Sequence, residues 1–309
     1  MFFIRKSARR TNSSRAIARD CHRFGHRLPL SLETLEARTV LSTVSWINPA
    51  GGDWSTPSNW SGDSVPNVTQ DAIINIAVSG PITIDSASAV HSLTDTTASL
   101  NITGSLSLTA GSSVSHNVTI SGSGMLASAG NLTVGGALTE SGGVLSGAGT
   151  VTVDGMLTWT GGTMSGPGTT LANGGLQLGA SDGNPYSESL DGRTFQNAGS
   201  ATSFSTDTFS QNANSIFQNL AHATLEVQSG VTWSGGGTLD NQYHGTVSVD
   251  AGTGTASFNG FFTNEGDLDV SSGTLLLGAG GNVTGNVVVD VAATLQFGGT
   301  QYVFNSGAV

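Results

Sequence analysis

From about residue 71 onward, apolar residues come in short alternating or continuous runs, each bounded by Gly, Ser, Asn or Asp. Leu106–Leu108, Leu132–Val134, Val151–Val153, Thr246–Val249, Thr274–Leu277 and Val287–Asp290 have this form, which predicts short β-strands. No stretch of 10 or more residues carries a helical period with a cap. The pattern also repeats. Gly136–Val153 and Gly155–Ala172 align at an offset of 19 with nine of 18 positions identical, and Gly111, Gly130, Gly149 and Gly168 keep that offset. A Thr-x-Ser/Thr-Gly-Gly unit recurs at Thr139–Gly143, Thr158–Gly162 and Thr232–Gly236. Farther on, an apolar-x-Asn frame sets Asn197, Asn219, Asn241 and Asn264 at spacings of 22, 22 and 23, with Asn173 and Asn286 as outlying members.

Strands this short cannot each bury a face alone. Stacking every strand on its equivalent one coil away, about 4.8 Å along an axis, solves the problem. The expectation is an all-β chain: a right-handed parallel β-helix over residues 71–309, of roughly 11–12 coils at about 20 residues each. Val, Leu, Ile and Phe line its interior. Gly and Asn make its corners, the periodic Asn in the left-handed bend conformation and hydrogen-bonded in a ladder. Residues 292–309 read as strands in mid-rhythm with nothing to cap them, so the β-helix is expected to be truncated there and to associate end-to-end through an open coil.

Composition narrows the class. The chain has 309 residues, 44 of them Gly, and only 10% are charged, which excludes a helical bundle. Its one cysteine, Cys21, excludes an internal disulfide framework and a Cys-based zinc site. No run approaches 18 apolar residues, so no transmembrane helix is expected. Charge is divided sharply. Nine of the 10 basic residues precede residue 39; from Thr43 onward there are 21 − 3 = 18 acids against 10 − 9 = 1 base, Arg193. Residues 1–42, at net +6, therefore read as a disordered basic export or targeting segment, followed by a body of net −17. Such a body repels nucleic acid and anionic membrane.

Ser31–Ser42, SLETLEARTVLS, resembles the N-terminal segment of planctomycete extracellular proteins, with Leu32, Glu33, Leu35, Glu36, Arg38, Leu41 and Ser42 matching. The resemblance implies export. Trp46–Asp71, WINPAGGDWSTPSNWSGDSVPNVTQD, together with Leu190–Gly199, resembles bacterial surface β-helix proteins, a group related in fold to pectate-lyase-like β-helices and filamentous-haemagglutinin-type adhesins. Residues 43–70 are read as a Trp-rich N-terminal cap on the solenoid. What the resemblance implies is architecture and a surface or secreted location, since this fold hosts lyases, hydrolases, adhesins and inert stalks alike.

A lyase of the fold family would use Asp ligands for calcium and an Arg or Lys base, yet Arg193 is the body's only cation. A hydrolase needs two carboxyl groups roughly 5–10 Å apart with one pKa raised; Asp267 and Asp269 share a face, which reads as solvated. Ser181–Arg193 breaks the repeat and predicts a bulging polar loop carrying Asp182, Tyr186, Glu188, Asp191 and Arg193, a tolerated insertion or a calcium site. His91, His116, His222 and His244 are scattered, with His222 and His244 one coil apart. Trp46, Trp54 and Trp60 plug the first coil or offer a sugar-stacking platform. The expectation is a non-enzymatic cell-surface or secreted scaffold, adhesin-like or envelope-associated, with no catalytic, cofactor or metal residues. Surface glycans or other envelope proteins are its expected partners. The alternatives are a carbohydrate-active enzyme or a glycan-binding module using Trp54 or Trp60.

Overall fold

The computed structural model describes residues 41–182, 184, 186–204, 208–299 and 301–304. The expectation that residues 1–42 stand apart from the rod therefore falls, for 1–40, outside the described residues. From Leu41 the chain forms one compact unit. It is a parallel β-solenoid of about 11 turns. Its only helical element among the described residues is the short 3-10 turn Pro57–Asn59.

Each full coil lays one strand on each of three faces. The first face is a 13-stranded sheet running from Ser42–Ser45 through Gln70–Ile74 and Ser92–Asp95 to Gln301–Phe304. The second stacks strands such as Ile82–Ile84, Leu100–Ile102 and Val118–Ile120, and the third Ala87–Val90, Ser105–Leu108 and Met125–Ser128. In four coils one bent strand runs through both, as in Leu138–Ser146, so the two faces join as a 19-stranded sheet. All six strand segments read from the sequence lie in these ladders, the last ending one residue early at Val289. The Trp-rich N-terminal segment is hydrogen-bonded to the first coils: Ser42–Ser45 pairs with Gln70–Ile73, and Gly52–Asp53 with Ile82–Thr83.

Register turns the period-2 alternation of each strand into columns along the axis. One inward column of the second face reads Ile82, Leu100, Val118, Leu138, Leu157, Leu176, Ala201, Leu225, Val247, Leu268, all buried. Burying each Val, Leu or Ile of the column contributes about 1.5–3 kcal/mol, and each leans on its neighbours in adjacent coils. Where the period lengthens from 19 to 22 residues, the interior changes to aromatic rings. Trp159 stacks on Phe195 at 6.1 Å and Phe195 on Phe217 at 5.0 Å, and Trp233 lies 4.7 Å from Phe209 and 5.3 Å from Phe258. The 19-residue glycine period has a steric cause. A Cβ on Gly149 would lie 1.9 Å from the Gly130 carbonyl oxygen, so this corner stacks backbone directly on backbone.

Asn197, Asn219, Asn241 and Asn264 are in register and wholly buried. Each Nδ2 donates to the next Oδ1, at 2.9, 2.8 and 2.6 Å. Each also donates to corner carbonyls, for example Asn219 to those of Ala223 and Thr246. Two details differ from expectation. The ladder residues end first-face strands pointing inward; the non-glycine residues with positive φ among those described are Asp63, His222 and His244. Asn173 and Asn286 are outside the column, because the longer coil before Asn197 puts Ala172 there and the 19-residue coil after Asn264 puts Val283 there.

On the last described coil, Phe297 and Phe304 are 41% and 49% exposed, and Phe297 packs against both Tyr302 and Phe304.

Replacing Asn219 with Ala should destabilise the rod by about 2–4 kcal/mol, since it leaves its ladder partners unsatisfied in the interior. Asn173→Ala, which removes only an exposed bond to Asp154, should stay within about 0.5 kcal/mol. Denaturant unfolding of the two variants side by side checks this.

Candidate functional site

The Ser181–Arg193 segment divides between surface and core. Asp182 is exposed; it accepts the Tyr186 hydroxyl at 2.6 Å and the Asn184 amide. The Tyr186 hydrogen bond, helped by Asn184, holds the Asp182 carboxyl below its ordinary range. Asp191 accepts from the Asn212 side chain one coil on. Ser187–Asp191 is a regular third-face strand, not loop. Glu188 and Arg193, expected on the bulge, are buried. The reason is register: Glu188 pairs with Gly162 and Phe209 at an inward position, and Arg193 precedes the first-face strand at the corner.

Arg193 reaches across two coils. Its Nε donates to Thr170 Oγ1 at 2.8 Å, Nη1 to the carbonyls of Gly147 and Ser165, and Nη2 to those of Gly149 and Thr169. All five guanidinium N–H groups are thus engaged. Burial pulls its pKa down to about 10 against the opposing pull of Glu140, so it stays charged at neutral pH. Glu140 lies in a column between Ile120 and Trp159 and is wholly buried. Its two oxygens find no hydrogen bond of ordinary geometry among the described residues. Burial drives this carboxyl well above the usual range, while the nearby Leu145 and Thr163 amides and Arg193 pull the other way. A Cβ on Gly162 would lie 2.9 Å from Glu140 Oε1, and Gly162 is the register partner of Glu188. Glu140 and Glu188 are thus two buried carboxyl groups on the coils either side of the one that carries Gly162, an arrangement the sequence reading did not find. The site is sealed from solvent and fits proton retention, not substrate turnover.

Trp46, Trp54 and Trp60 are wholly buried, Trp60 edge-on to the other two at 5.0 and 4.6 Å. Their faces are closed to a sugar ring. His91 Nδ1 lies 2.7 Å from Asp71 Oδ1. Asp267 and Asp269 lie on one outer strand; partial burial, Asp267 and Asp290 push the Asp269 carboxyl up. Among the described residues, no three His, Cys, Asp or Glu side chains gather as a metal site.

The outer feature with a shape of its own is the corner between the first and second faces. Counting between register-equivalent residues, 3 lie between Asn197 and Ala201, 5 between Asn219 and Leu225, 5 between Asn241 and Val247, 3 between Asn264 and Leu268, and 3 between Val283 and Val287. Two adjacent coils therefore project two residues farther than the coils that follow. The projection carries His222, Tyr243 and His244. The two imidazoles stack at 5.2 Å and 11°, and Tyr243 lies 3.8 Å from His244. Beyond them the short corners leave a notch of about 410 Å³, lined by Tyr243, His244, Glu265, Asp267, Thr284 and Asn286, with Gly266 and Gly285 at its floor. The stacking of His222 and His244 follows from their 22-residue spacing. Tyr243 was missed, though the shortened corner after it was legible in the same spacings.

No protein-family model, curated protein or solved structure matches the chain.

Two outcomes test the interior cluster. Glu140 has a raised pKa when folded, so its stabilising contribution is complete below about pH 4.5, its unfolded value, and is lost as pH rises through the folded value. Glu140→Gln should therefore flatten the decline in stability above that pH and exceed wild type in mild base, read from unfolding midpoints across pH. Arg193→Ala should destabilise by about 3–5 kcal/mol, because it strands the inward carbonyls of Gly147, Gly149, Ser165 and Thr169 and the Thr170 hydroxyl that the guanidinium satisfies.

Proposed function

We propose that the protein is a non-enzymatic scaffold of the bacterial cell surface or its surroundings, adhesin-like or envelope-associated. The reading takes the solenoid as right-handed, the hand of parallel β crossovers in about 98% of cases. The observation that carries it is the state of Arg193. The body's one Lys or Arg has every donor engaged with backbone and a hydroxyl inside the rod, which removes it as a base for lyase chemistry. Glu140 and Glu188, both buried, are likewise out of a polysaccharide's reach. Resemblance of Ser31–Ser42 and Trp46–Asp71 to exported surface proteins supports the location. No helix among the described residues is long and apolar enough to cross a membrane. The exposed aromatic cluster on the last described coil is the surface through which we propose that the rod meets another copy of itself.

Two measurements test the reading. Fractionation of the native cell should place the protein in the envelope or medium; a cytoplasmic pool would contradict the location. Lyase and hydrolase assays on neutral and acidic glycans should show no turnover. Turnover abolished by Asp182→Ala or Asp191→Ala would establish the enzyme alternative.

A further inference from the structure

The projecting corner contains a conformational anomaly. Gly245 N–H donates to the Gln242 carbonyl at 2.7 Å and Ala223 N–H to that of Leu220 at 3.0 Å, each closing a four-residue turn. The third residues of these turns, His244 and His222, have φ of 65° and 67°. Glycine or asparagine is usual there. A bulkier side chain in this conformation is strained and persists where its surroundings hold it. Here it places one imidazole on another and Tyr243 against the outer one, while Tyr243 remains 64% exposed. An aromatic ledge thus stands over a notch whose size falls within the range of small-molecule sites, about 300–1,000 Å³.

We propose that this notch binds a neutral sugar residue of a glycan chain, stacked on Tyr243. The proposal deepens the scaffold reading by giving its partner a chemistry, and rests on that reading only for where the glycan is met. A pyranose ring presents an apolar C–H face and a rim of hydroxyls. The ledge supplies a single flat apolar wall, and the notch opposite supplies acceptors in Glu265 and Asp267 with a hydroxyl and an amide in Thr284 and Asn286. The Glu265 and Asp267 side chains make no hydrogen bond to other described residues in this arrangement, so their oxygens are available to sugar hydroxyls. Anionic sugars are disfavoured by these two carboxylates and by the body's charge of 18 acids against one base. A cationic ligand would find aromatic surface on one side only, not the enclosing cage that recognises such groups. The open outer side admits a long chain, so the site takes an internal residue of a polymer.

The test is equilibrium binding of the purified full chain to three oligosaccharide sets: neutral hexose and pentose, amine-bearing glucosamine, and anionic galacturonate. Neutral oligosaccharides should bind, and Tyr243→Ala should weaken them about tenfold or more while leaving the unfolding midpoint unchanged. Tyr243→Phe should retain binding within about threefold, because the stacking face survives. His244→Gly separates a structural role from a recognition role. It should leave stability equal or higher, since glycine relieves the positive φ, yet weaken binding by releasing Tyr243. Absence of neutral-sugar binding by the folded chain would overturn the proposal. So would binding indifferent to Tyr243→Ala, or confined to the amine-bearing or anionic set. None of these results bears on where the cell deposits the protein, so the scaffold reading stands or falls separately.

Discussion

The structure depends on one constraint: each inward side chain must lie on its equivalent in the coils before and after, at the spacing of hydrogen-bonded strands. A three-sided coil of about 20 residues has room for a few inward side chains per face and no second layer. Any interior group must therefore be satisfied along the axis. Apolar columns meet the condition with dispersion and loss of hydrated surface. A carboxamide meets it because its donor and acceptor lie on opposite sides, so identical residues pass hydrogen bonds from coil to coil. The Asn column extends over four coils with donors left for corner carbonyls, and it ends on Ala172 and Val283, where no unpaired amide partner is demanded.

Charged groups have no such self-complementary solution. Arg193 is accommodated because an Arg fork matches the carbonyls that a solenoid corner turns inward. Glu140 has no comparable set of donors and becomes the group that gives way by holding its proton. The interior is therefore a poor place for chemistry on a polymer, and variation with access to solvent is left to the corners. Changing a corner by two residues leaves the columns intact, since the register resumes at Leu225, Val247 and Leu268. It alters only what protrudes, which is how ledge and notch arise without disturbing the core.

The repeat was legible because it is written twice, in the 19-residue glycine spacing and the 22-residue Asn spacing, and both reflect close backbone or side-chain stacking. The ladder members were identifiable from spacing, but their backbone conformation was not. Asn suits a left-handed bend and an inward ladder equally, and only register shows that His222 and His244 occupy the bends. Asn286 illustrates the limit of counting: a 22-residue extrapolation fails when one coil is 19 residues long. Glu188 and Arg193 were misplaced because a polar segment near Pro and Gly reads as loop, whereas alternate residues of Ser187–Asp191 point inward. Tyr243 carried no motif. Its exposure follows from the lengths of neighbouring coils, a relation between distant residues.

The most direct measurement of the interior account is exchange of side-chain amide protons by nuclear magnetic resonance after transfer to heavy water. The four ladder carboxamides are buried and hydrogen-bonded to one another, whereas that of Asn131 is exposed. The account predicts that the Nδ2 protons of Asn197, Asn219 and Asn241 persist long after those of Asn131 have vanished. Exchange of all of them at the rate of Asn131 would show that the ladder does not hold the coils in register and would contradict the account.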